Sequence, residues 1–130
     1  MVKSKRVLIV DDDTIILASC RKIFNAEGYN VTCVKSAREA IDALGTTYFD
    51  LMIMDIKMPE QDGFYLLEKI RKKWPLEQWP MLPVLVMTGY PTPETLRALR
   101  KSGAEHFIAK PFTPDELTAA VQKLLEKSGP

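Results

Sequence analysis

Five short apolar runs, RVLIV (6–10), NVTCV (30–34), DLMIM (50–54), VLVM (84–87) and HFIA (106–109), recur along the chain. Longer stretches between them carry apolar residues three and four apart. Examples are Leu17, Cys20, Ile23 and Phe24; Ala37, Ala40, Ile41 and Leu44; and Leu117, Ala120, Val121 and Leu124. A short β-branched run cannot cover its own apolar surface, and neither can a helix with one apolar stripe. Their regular alternation therefore predicts an α/β layer structure with right-handed crossovers. The first, third and fourth runs are nearly continuous in hydrophobicity, as central strands covered on both faces should be.

The helix ends are punctuated. Ser36 with Glu39 and Thr113 with Glu116 form capping boxes, which satisfy the first free backbone N–H groups. Pro93 and Pro114 suit a first helical position. Gly28, Gly45 and Gly103 stand where helices should stop. At 130 residues, with 46% apolar and 27% charged residues, the chain is expected to be one domain with a conventional core. Eighteen Lys+Arg against 17 Asp+Glu leave no basic excess for bulk nucleic-acid binding. No run approaches a membrane span, and the first residues meet acid too soon for a secretory signal. Cys20 and Cys33 fit no metal spacing and read as two reduced, packed thiols, so a cytoplasmic protein is expected.

In such a sheet, ligands bind beyond the carboxyl ends of the strands. Asp11, Asp12 and Asp13 follow the first run, Asp55 the third, Thr88 the fourth and Lys110 the fifth. The second ends in VKSA, which offers nothing comparable. Two like charges about 4 Å apart repel by about 4 kcal/mol at an effective dielectric of about 20, so clustered carboxylates require a cation. Lys110 supplies one positive charge and leaves the cluster negative. A hard divalent ion completes the balance, and Mg²⁺ suits a few carboxylates plus retained waters. Metal, ammonium and hydroxyl around a carboxylate are what phosphoryl transfer uses, with Asp55 as the nucleophile.

The segments VLIVDDD, LMIMDIKMPEQDG, VLVMTG and HFIAKPF together resemble the motifs of the receiver domain of two-component response regulators, including the chemotaxis type. The resemblance covers essentially the whole chain, read as a single receiver domain over 1–130. It implies a flavodoxin-like, doubly wound, five-stranded parallel sheet of order 2-1-3-4-5 with five helices. Position by position, Asp55 matches the phospho-acceptor. Asp12 matches the direct Mg²⁺ ligand, Asp11 the neighbouring acid, and Lys57 the position whose backbone carbonyl completes the coordination. Thr88 matches the hydroxyl that moves toward the phosphoryl group, Lys110 the lysine that pairs with it, and Phe107 the aromatic that turns inward. A cis peptide between Lys110 and Pro111 is also implied. So are a sensor histidine kinase or His-phosphotransfer protein as donor, slow autodephosphorylation, and a downstream protein or output domain as recipient. No direct nucleic-acid or membrane contact is implied. Dimerisation through the fourth- and fifth-helix face rests on family analogy. Lys57 and Tyr90 flank the expected water path and should tune phosphoryl lifetime.

Three departures from the common pattern stand out. Phe107 carries no hydroxyl, Gly89 follows Thr88, and KKWPLEQWPMLP before the fourth strand is long and aromatic. Simpler roles are expected elsewhere. Asp13 reads as a solvated or capping acid, Asp62–Gly63 as a cap and turn, and His106 as a non-catalytic surface residue. Trp74 and Trp79 read as loop packing, and Arg97, Arg100 and Lys101 as a solvated face. The rival reading takes DDDTI for the nucleophile motif of haloacid-dehalogenase-like phosphatases, with Asp11 as nucleophile. It fails at Ile15, and no later acidic pair follows Lys110. A receiver that binds partners without phosphorylation is a second rival, which the intact acids oppose.

Overall fold

The computed structural model describes residues 4–57, 63–73, 82–89, 91–104 and 106–128. Five strands and five helices alternate strictly: β1 (Arg6–Val10), α1 (Thr14–Ala26), β2 (Asn30–Val34), α2 (Ala37–Thr46), β3 (Leu51–Asp55), α3 (Gly63–Lys73), β4 (Val84–Thr88), α4 (Pro93–Lys101), β5 (His106–Ala109) and α5 (Pro114–Ser128). All strand pairs are parallel, in the order β2-β1-β3-β4-β5. The three runs of continuous hydrophobicity are thus the three central strands, as expected.

Alternation along each strand divides the core into two layers. Leu8, Val10, Met52, Met54, Val84 and Val86 pack with α2, α3 and Leu99 of α4. Val7, Ile9, Leu51, Ile53, Leu85 and Met87 pack with Leu17, Cys20 and Phe24 of α1 and with Leu117, Val121 and Leu124 of α5. This parity also governs the residues just beyond the strands. Hydrogen bonds from Asp11 N to Val34 O and from Lys110 N to Thr88 O continue the ladder by one residue.

The helix starts behave as their sequences require, with one exception. Ser36 Oγ accepts from Glu39 N, but the Glu39 carboxylate accepts from Lys35 N and not from Ser36 N, so only half of that expected box forms. Thr92 Oγ1 accepts from Thr95 N, and Thr113 and Glu116 exchange reciprocal bonds. Gly28 and Gly103 adopt φ of 88° and 98° at helix ends. Gly45 does not stop its helix. It lies inside α2, which ends where Thr47 turns extended. Nothing there demands a left-handed residue, so the helix runs through it. Both cysteines are free thiols, with Cys20 buried and Cys33 partly so. Among the described residues, no helix is long and apolar enough to cross a membrane.

Candidate functional site

Parity brings the site together. Asp11 lies two residues beyond Ile9, Asp55 two beyond Ile53, and Lys110 two beyond Ile108. All three continue the α1/α5 side of the sheet. Lys110 Nζ donates to Asp55 Oδ2 at 2.8 Å and to Asp11 Oδ2 at 3.2 Å. The second oxygen of each acid is held by its own chain, in turns of the type short acidic side chains favour. Asp11 Oδ1 accepts from Asp13 N and Asp55 Oδ1 from Lys57 N, each at 2.9 Å. Both carboxylates are therefore fixed at two points before any ligand arrives.

Asp12 is exposed, and a carboxylate oxygen from each of Asp11, Asp12 and Asp55 lies within 4.8 Å of the others. Asp11 is fully buried. Burial raises its pKa above the ordinary carboxylate value, and the nearby Asp55 charge adds to that. The Asp13 N–H and Lys110 oppose the shift without cancelling it. Burial alone would lower the Lys110 pKa. The hydrogen bond and charge of Asp55, and then Asp11, outweigh it and hold the ammonium above its usual range. Three clustered carboxylates, two of them paired with one ammonium, leave net negative charge, and the clustered ligand atoms are all hard oxygens. That set suits Mg²⁺ and does not suit a soft, sulfur-seeking metal.

The remaining expected residues fall around this centre. Thr88 ends β4 on the opposite parity, with Val84 and Val86, and is only 1% exposed. Phe107 is 41% exposed and shares that side, paired with Val86 in register. Asp13 is the α1 N-cap, its Oδ1 accepting from Ile15 N, as a capping acid should. His106 begins β5, at the end of the strand away from Lys110. The Lys110–Pro111 peptide is cis. Asp62, Trp74, Trp79 and Tyr90 lie outside the described residues.

Sequence reasoning passed over two residues. Gly63 was expected only to turn the chain. Its N–H donates to Ile56 O, and a Cβ built there would meet Met54 Cε at 2.7 Å, Ile56 Cα at 2.8 Å and Asp55 O at 2.9 Å. The start of α3 thus presses directly on the end of β3, and the signal available was a Gly opening an otherwise good helix. The Lys57 N–H on Asp55 was also missed, although an acid two residues before a backbone donor is a known turn pattern.

The family model described as "Response regulator receiver domain" matches residues 7–122. The transcriptional regulatory protein ZraR of Escherichia coli (strain K12) is 34% identical over 119 residues, which is 92% of this chain and 26% of that protein. The transcriptional regulatory protein BasR of the same organism is 34% identical over 122 residues, 94% of this chain and 53% of that protein. The chain therefore spans about a quarter to a half of these relatives. Among solved structures, a CheY-like receiver domain protein of Methanospirillum hungatei JF-1 superposes with a TM-score of 0.87 at 35% identity, covering 97% of each chain. The chemotaxis response regulator CheY4 of Vibrio cholerae does so at 0.87 and 29% identity, covering 94% of this chain and 99% of that one.

Proposed function

The chain belongs to the family of response regulator receiver domains, and on that footing we propose that it accepts a phosphoryl group on Asp55 and changes its α4-β5-α5 surface in response. The observation that carries this reading is the Lys110 ammonium held between Asp55 and Asp11 at 2.8 and 3.2 Å, at a strand edge that Asp12 shares. Asp11, Asp12 and Asp55, with the Lys57 backbone carbonyl, would hold Mg²⁺. When bound, the ion supplies positive charge to the phosphoryl oxygens.

The chain's own residues do the rest. An Asp55 carboxylate oxygen attacks phosphorus as the bond to the donor's imidazole nitrogen breaks, and the imidazole leaves with the bonding electron pair. The donor is the phosphohistidine of a sensor kinase or His-phosphotransfer protein. Lys110, already aimed at Asp55 Oδ2, pairs with the new oxygens, and Thr88 donates its hydroxyl to them. Phe107 then turns inward. The gap between α4 and β5, lined by Leu96, Leu99, Arg100, Ala104, His106 and Phe107, is only about 20 Å³. That is room for about one water, so the ring gains its inward position only as α4 shifts. Water attack on phosphorus later returns the carboxylate and phosphate. Lys57 and Tyr90, two positions beyond Asp55 and Thr88 in the sequence, set its rate by the family resemblance. The altered surface meets a downstream protein or output domain, or a second copy of the chain, in the cytoplasm.

Intact mass and peptide mapping after incubation with Mg²⁺ and acetyl phosphate test this. The expected result is a labile adduct on Asp55, lost with EDTA and in Asp55→Asn. An adduct on Asp11 would move the nucleophile to the first strand and refute the assignment. A chain unmodified by acetyl phosphate that also fails to bind beryllofluoride would be a receiver working without phosphorylation.

A further inference from the structure

The helix that must move is the one least committed to the core. α4 buries a single side chain, Leu99, whereas α1, α2, α3 and α5 each commit three apolar residues. The commitment is also uneven along α4. Pro91, Thr92, Pro93 and Glu94 are all exposed, and Thr95 and Leu96 only half-buried, before Leu99 is reached. Beyond it, Ala104 is buried and its N–H closes onto Leu99 O at 2.9 Å.

Arg71 of α3 holds that same end. Its Nε and one terminal nitrogen donate to Gly103 O at 3.3 and 3.0 Å, and its other terminal nitrogen donates to Leu82 O at 3.3 Å. The planar guanidinium thus bridges three segments: α3, the entry to β4, and the turn that ends α4. Gly103 makes room for it. A Cβ at that position would lie 3.0 Å from Arg71 Cγ and Nε, and its φ of 98° is one that side chains resist.

We infer that Arg71 is a positioning residue that pins the C-terminal end of α4, so that α4 answers the site by swinging its N-terminal end about Gly103. The free end is the one joined to Thr88, four residues before the Thr92 cap. Charge-assisted donation to carbonyl oxygens makes a firm anchor, while the capped but exposed first turn opposes motion weakly. The anchor itself stands on geometry alone; the swing rests on the reading of Asp55 as acceptor.

Amide hydrogen exchange on the whole chain separates the two. In Arg71→Met, without ligand, the amides of Ser102, Gly103 and Ala104 should exchange about tenfold faster or more. Those of Ile53 and Met54 in β3 should keep their wild-type rates. Arg71→Lys, which keeps the charge but not the fork, should fall between. Equal acceleration in β3 and α4 would reduce Arg71 to a general stabiliser, and unchanged exchange after α4 would remove the anchor; either overturns the inference. With Mg²⁺ and beryllofluoride, wild-type changes within α4 should be confined to Thr95–Arg97, and in Arg71→Met they should spread to Ala104. Changes spread evenly over α4 in the wild type would refute the swing. No change anywhere, with the ligand-free difference intact, would refute the acceptor reading and leave the anchor supported.

Discussion

Replacing Lys110 by Met removes the one ammonium that Asp55 and Asp11 share, while keeping most of the side-chain volume. The two acids offer oxygens within 4.8 Å of each other. At that separation, with an effective dielectric of about 20, their repulsion is about 3.5 kcal/mol, and the Lys110 contacts at 2.8 and 3.2 Å are lost as well. Breaking a buried pair costs about 3–5 kcal/mol. The Lys110 side chain is 24% exposed and that of Asp55 12%, so solvent screens part of this. The expected destabilisation is about 2–3 kcal/mol, read as a lowered urea midpoint in EDTA. Because the folded pKa of Lys110 is raised above 10.5, its stabilisation is complete below that pH and lost as pH climbs through the folded value. Wild type and variant should therefore converge in strong alkali. Excess Mg²⁺ supplies charge to the same carboxylates and should stabilise the variant more than the wild type. A variant that unfolds at the wild-type midpoint in EDTA, or equal gains from Mg²⁺, would refute this account of the site's charge balance.

Four further outcomes are expected. Asp11→Asn should raise stability in EDTA, read as a higher urea midpoint, and lose the Mg²⁺ gain. The buried carboxylate has a raised pKa, so its cost is borne at neutral pH and disappears as pH falls through the folded value. Gly63→Ala should destabilise by about 2–3 kcal/mol, since two of its three close neighbours are backbone atoms. Gly45→Ala, in open space within α2, should stabilise by about 0.5–1 kcal/mol in the same urea titration. Burial pushes the Cys20 thiol up to about 11, so iodoacetamide at neutral pH should label Cys33 well before Cys20 in mass-mapped peptides.

Much of this was legible because strand composition and strand-end chemistry are local signals. Continuous apolar runs marked β1, β3 and β4 as central, and acids after two of them marked one edge of the sheet. Sequence could rank Asp11, Asp12 and Asp13 only by resemblance. Their differing burial comes from strand parity, which depends on where the ladder stops. Gly45 looked like a stop signal because glycine's freedom is visible while the absence of any need for it is not. Gly63 and Arg71 were overlooked for a related reason. One is defined by the neighbour it lets approach, and the other by carbonyls 11 and 32 residues away. Most of these partners are backbone atoms, which have no side-chain identity to read.

Lys110 is carried just past β5, a strand paired on one side only, whereas both carboxylates follow strands paired on both. Fraying at a sheet margin costs far less than unfolding the interior. A brief detachment of that margin would withdraw the ammonium and leave the two carboxyl groups facing each other without it. The site thus has its counter-ion carried on an edge strand and its carboxylates on interior ones. Movement of the ammonium therefore need not disturb the strands that hold Asp11 and Asp55.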